Sequence, residues 1–221
     1  MSETLTTAKL KKSMYSKIAI LFAVTISLFA CQSKTTKDAK TTESLHINHE
    51  GTTATGYADS INNGLIAEDT MKKSVPRTAM ETINGTHLHI SYHSPGVKGR
   101  IIWGGLVPYN TVWVTGAHTA TNITFNNEVL LAGKTVKPGT YAIFTIPGEK
   151  EWTFILNRNY KQHLTDDYSE KEDVLRYTVI PQSNVLTQRL TWAIQKEQET
   201  KVTLSMYWEK LKISIPFEIK K

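Results

Sequence analysis

Between Val202 and Ile219 the chain alternates apolar and polar residues with a period of two. Val202, Leu204, Met206 and Trp208 alternate with Thr203, Ser205 and Tyr207, and Leu211, Ile213, Ile215, Phe217 and Ile219 alternate with Lys212, Ser214 and Glu218. Successive side chains of a strand point to opposite faces, so this pattern fits two half-buried strands and no helix. Glu209-Lys210 between them reads as a two-residue hairpin connection, although it lacks Asn-Gly chemistry. Pro216 marks an edge strand or a bulge. Further strands are expected at residues 86–93, 122–126, 129–131, 141–146, 152–157, 175–180 and 189–195. Turns are expected at Ala132-Gly133-Lys134, Lys137-Pro138-Gly139 and Pro147-Gly148-Glu149. Short strands at this spacing predict an all-β domain over residues 75–221, a single antiparallel sandwich of jelly-roll-like character.

The other end of the chain is different in kind. Lys11, Lys12 and Lys17 precede the apolar run Ile18 to Ala30. Thirteen residues are too few to span a bilayer, which takes about 20, but suit the apolar region of a secretory signal. Leu28-Phe29-Ala30-Cys31 resembles the lipobox of bacterial lipoproteins, which implies cleavage after residue 30 and lipidation of Cys31. Cys31 is the single cysteine of the chain, so no disulfide partner competes for it. Gln32 is not the Asp that commonly retains lipoproteins at the inner membrane. The expected address is therefore the cell envelope, anchored to the outer membrane through lipid on Cys31. Translation from Met14 would leave a compact version of the same signal. Residues 31–74, rich in Thr, Ser and Lys at their start, are expected to form a flexible tether, with at most a short helix near Ala67 to Lys72. Asp59-Ser60-Ile61 and Asp69-Thr70-Met71 within it resemble acceptor tripeptides for O-glycosylation.

The formal charge of +6 falls to +3 beyond residue 31, and the remaining cations are mixed with acids. That distribution argues against nucleic acid as a partner.

Three separated motifs, Ser94 to Thr121, Val136 to Asn157 and Glu172 to Val179, are similar to the family called domain of unknown function 2911. The resemblance runs from about Val75 to Ile219 and implies a secreted or lipid-anchored β domain without implying an activity. Where the family pattern commonly reads Tyr-Ser-Arg-Pro, this chain has Tyr92-His93-Ser94-Pro95. Where it commonly reads Trp-Arg-Thr-Gly-Ala-Asn-Glu-Ala-Thr, this chain has Trp113 to Thr121 with Val114, His118 and Thr119 substituted. Two arginines and a glutamate are replaced, and two histidines appear.

Candidate site residues follow from position and chemistry. On a strand, His87, His89 and His93 share one face, but His87 and His93 lie roughly 20 Å apart and cannot share an ion. His87 and His89 read as a solvent-facing pair. His93 sits where the strand meets Pro95-Gly96, and His118 lies in a second turn; with His163 from a polar loop they could bind Zn²⁺ or another transition metal. Lys98, Arg100, Trp103, Tyr109 and Trp113, with the glycines of residues 95–106, form a second constellation suited to sugar rings or anions. With no GxSxG or HExxH sequence, the expectation leans away from catalysis. A binding module for a small molecule, glycan or envelope protein is favoured, with a His-ligated metalloprotein as the alternative.

Overall fold

A computed structural model describes residues 55–220. The expected signal peptide, Cys31 and the first part of the expected tether lie outside the described residues. The elements are α1 (Thr55–Asn62), β1 (Val75–Ile83), β2 (Thr86–Ser94), β3 (Thr121–Phe125), β4 (Val129–Leu131), β5 (Lys134–Val136), β6 (Gly139–Ile146), β7 (Trp152–Asn157), β8 (Asp173–Val179), β9 (Gln182–Lys196) and β10 (Lys201–Ile219). All pairings are antiparallel. They build a six-stranded sheet in the order β1-β2-β3-β6-β7-β8 and a four-stranded sheet in the order β5-β4-β10-β9. The expected all-β architecture with two antiparallel sheets is the one observed.

Alternation explains why the sheets pack face to face. Leu88, Ile90 and Tyr92 of β2, with Phe154 and Leu156 of β7, join Leu204, Met206, Ile213, Ile215 and Phe217 of β10 in one buried cluster. Burying a side chain of this size contributes about 1.5–3 kcal/mol against leaving it in water. His87, His89 and His93 fall on the opposite, wetter face of β2, as its alternating burial requires. His87 is exposed, with its Nδ1 3.1 Å from Thr82 Oγ1, and its ring lies 6.4 Å from that of His89.

The expected hairpin at Glu209-Lys210 is corrected. β10 runs unbroken through both residues, and the hairpin joining it to β9 lies at residues 197–200. The buried set changes parity along β10, from Val202, Leu204, Met206 and Trp208 to Ile213, Ile215, Phe217 and Ile219. A hairpin would permit that change, and so does a local irregularity, which is what the chain uses. Glu209 takes a left-handed backbone (φ 53°), and the register with β9 shifts on both sides of it.

A second correction concerns residues 55–74. Where a tether with a short helix at residues 67–72 was expected, the segment carries α1 further upstream and lies as a strap along β9 and β1. Ala58 and Ile61 are buried. The Asn62 side chain donates to the Arg189 carbonyl at 2.9 Å and accepts from the Arg189 amide at 2.8 Å. Asp59 pairs with Arg77, and Asp69 pairs with Arg189. Polar side chains, which leave no hydrophobic periodicity, hold this segment in place. Both aspartates of the O-glycosylation-like tripeptides are engaged in these ion pairs.

Candidate functional site

At its C-terminal end β2 leaves the six-stranded sheet and turns onto β9. Ser94 Oγ donates to the Leu190 carbonyl at 2.7 Å, the Leu190 amide donates to Pro95 at 3.0 Å, and the Val97 amide donates to Gln188 at 2.7 Å. The corner brings Gly96 against Asp69 so closely that a Cβ there would sit 2.4 Å from Asp69 Oδ2. That proximity explains a glycine where the backbone has no positive φ. Arg189, fully buried, lies behind the corner: it donates to the carbonyls of Lys73 and Ser94 at 3.1 Å and of Met71 at 2.7 Å, and to Asp69 Oδ1 at 2.7 Å. Tyr57 covers the guanidinium at 5.5 Å.

A second loop reaches the same place from the other side. Trp113 pairs with Thr145 of β6 through two backbone bonds of 2.8 and 3.0 Å. Val114 and Ala120 bury against Ala142, Phe144 and Ile155 on the outer face of the six-stranded sheet. Thr115 (φ 51°) and His118 (φ 63°) are left-handed, which is unusual for any residue and costly for a β-branched one. The strained turn is held by its bonds: Thr115 Oγ1 lies 3.1 Å from Thr145 Oγ1, and the Thr115 carbonyl accepts from Thr121 Oγ1 at 3.0 Å. Gly116 is required because a Cβ would meet Thr121 Oγ1 at 2.7 Å and the His93 carbonyl at 3.1 Å.

Corner, strap and loop enclose an open cavity of about 410 Å³, whose lining includes Lys72, Lys73, Lys98, Arg100, Trp113, His118 and Trp208. Among the described residues, no Asp or Glu lines it. Beneath it, Trp103 lies 4.7 Å from Trp152 and 5.7 Å from Trp208, and Trp113 stacks on Trp208 at 5.6 Å with 22° between the planes. Among the described residues none accepts from the buried indole N–H groups of Trp103, Trp152 and Trp208. Arg100 bends back on its own turn, donating to the carbonyls of Gly96 and Val97, while Lys98 reaches the Met71 carbonyl on the strap.

The structure thus brings Lys98, Arg100, Trp113 and His118 together and leaves Trp103 in the tryptophan cluster below, as a packing residue. His93 is not on the wall, but its ring meets that of His118 edge to face at 5.2 Å, and its Nδ1 lies 3.3 Å from Thr119 Oγ1. Burial, and then the charge of His118, hold the His93 imidazole below the usual histidine range. His93, Ser94, Val114, His118 and Thr119, the positions that depart from the common pattern, therefore sit on two adjoining segments. His163 adjoins this loop through its backbone alone. Its backbone pairs with Thr119, but its exposed ring bonds Asp166 at 3.1 Å. Among the described residues, no group of three or more His, Cys, Asp or Glu side chains is arranged to hold a metal ion. Sequence reasoning missed Lys72, Lys73 and Trp208. The first two lie in the supposed tether, and Trp208 reads from its alternation only as a core residue.

The profile of the family described as "Protein of unknown function (DUF2911)" matches residues 74–217, well over half of the chain. The chain belongs to the DUF2911 family. Its DUF2911 match starts at the last strap residue before β1, so most of the strap precedes it, while Gly96, the Trp113–Thr121 loop and Trp208 all fall inside it. Comparison of this DUF2911 protein with curated proteins and with solved structures returns no significant match.

Proposed function

We propose that the chain is a lipid-anchored envelope lipoprotein whose β-sandwich is a binding module for a small molecule or glycan. The anchor rests on the lipobox at Cys31 and on the basic, apolar and small-residue order ahead of it, which favours the outer membrane. The observation that carries the binding reading is the cavity itself. It stands where the β2–β9 corner, the strained turn of the Trp113–Thr121 loop, the strap and a tryptophan cluster converge, and its wall combines indole surface with several donors. Indole faces stack on apolar and sugar rings, and fixed polar groups orient what is bound.

Two measurements test this. Labelled palmitate should enter the full chain and be absent from Cys31→Ser. Tryptophan fluorescence of the purified protein should change saturably with an envelope-derived small molecule or glycan, and Trp113→Phe should reduce that change. Robust turnover of an envelope glycan or ester, abolished by a single substitution at the cavity, would replace the binding reading with an enzymatic one.

One observation favours the metal-binding alternative: the 5.2 Å approach of the His93 and His118 rings is close enough for both to reach one ion about 2 Å from each nitrogen. Zinc titration of the wild type against His93→Ala decides it, since equal affinity in the two removes this reading.

A further inference from the structure

The polar side chains of the cavity wall are almost wholly donors. Lysine and arginine have no acceptor, and tryptophan offers only its N–H. Among the described residues that line it, Lys72, Lys73, Lys98 and Arg100 are cations, and none is a carboxylate. Lys72 and Lys73 make no ion pair among the described residues. The acids just before them in sequence do not balance them on this wall, because Asp69 pairs with Arg189 and the exposed Glu68 lines a different cavity. Like charges gathered on one wall repel one another. That repulsion is relieved by a compact occupant with several acceptor oxygens and more than one negative charge.

We infer that the cavity binds a phosphomonoester group, held between Lys72 and Lys73 of the strap and Lys98 and Arg100 of the β2–β9 corner, with the remainder of the ligand against Trp113. This rests on the binding-module reading and names its ligand class. The cations come from two separate segments, so the bound anion also ties the strap to the corner. Lys98 already bridges them through the Met71 carbonyl, and charge-assisted bonds from both sides strengthen that closure. The chemistry fits the phosphate of a soluble sugar and that of a lipid headgroup alike.

Calorimetric titration of the full chain in detergent tests the inference with four probes: inorganic phosphate, N-acetylglucosamine 1-phosphate, N-acetylglucosamine and a short-chain phosphatidic acid. At least one phosphomonoester should bind one to one and at least tenfold more tightly than the neutral sugar, weaken as salt rises and raise the melting temperature. Tighter binding of the sugar phosphate identifies a soluble source, and tighter binding of phosphatidic acid a lipid one. Lys72→Ala with Lys98→Ala should lower the affinity at least tenfold, and Lys72→Arg with Lys98→Arg should retain it. Lys201→Ala, beside a different cavity, should leave it unchanged. Equal affinity for N-acetylglucosamine and its phosphate overturns the inference while leaving the binding module standing. Binding of none of the four, with the fold of every variant intact by circular dichroism, overturns both at this cavity.

Discussion

Arg189 and Asp69 stand 120 positions apart in the chain and 2.7 Å apart in space, and only a small fraction of either side chain is exposed. The pair fastens a segment outside both sheets to the edge of one of them. An ion pair so deeply buried is weak evidence for stability as a unit, but removing one partner strands the other charge away from water.

Asp69→Ala should therefore destabilise the fold by about 3–5 kcal/mol, the usual cost of breaking such a pair. For a domain of this size that corresponds to roughly 2–4 °C of melting temperature per kcal/mol. Asp69→Asn, which keeps an acceptor oxygen for the guanidinium, should cost less. Urea unfolding of the three proteins gives the order.

Gly96→Ala offers the same test without touching a charge. The added methyl would lie 2.4 Å from Asp69 Oδ2, so the carboxylate must move and its bond to Arg189 must lengthen. A loss of more than about 1 kcal/mol in the wild-type background is expected, the scale of overpacking a close contact. The loss should shrink when Asp69 is already alanine, and a double-mutant cycle measures the difference. Strictly additive losses would show that the glycine has another purpose.

His93 supplies a pH dependence with a definite sign. Its folded pKa lies below the ordinary value because of burial and then the neighbouring His118. The folded state thus binds its proton less readily than the unfolded chain, whose histidine titrates near about 6.5. The stability tied to this group is complete above that value and is lost as pH falls below it toward the folded pKa. Proton NMR should place His93 below 6.5, and His118→Asn should move it upward. His93→Asn should flatten the acid side of the stability profile.

Glu209 tests the parity switch. At φ 53° a glycine is more comfortable than glutamate, while a β-branched residue is worse placed. Glu209→Gly should be neutral or stabilising by up to about 1 kcal/mol, and Glu209→Val destabilising by about 1–2 kcal/mol, the cost of a left-handed residue. If valine is tolerated as well as glycine, the irregularity lies in β9 alone.

What could be read from the chain divides along physical lines. β4 and β7 were legible residue for residue, since each is a short, largely apolar run bounded by turn residues. β10 was legible as buried alternation but not as one strand. A hairpin and an irregular continuous strand shift the buried parity alike, and only the cross-strand partners distinguish them. His93 and His118 meet because the first ends β2 and the second lies in the left-handed turn that packs beside that end. Lys72 and Lys73 could not be foreseen. The strap that carries them is fixed by Asp59, Asn62 and Asp69 reaching partners far along the chain, and pairwise polar contacts leave no period to read. His163 shows the converse, since a favourable residue type in a polar loop says nothing about where its ring points.

The strap also decides how the domain would bear load. A pull applied from the N-terminal side of residue 55 meets α1 and the Asp59–Arg77 and Asp69–Arg189 fastenings before it reaches β1. Tension would be taken by these lateral clamps, and the sheets would be spared until both had slipped. The same slippage would withdraw Lys72 and Lys73 from the cavity wall, so a stretched protein would open the cavity before its sheets began to unfold.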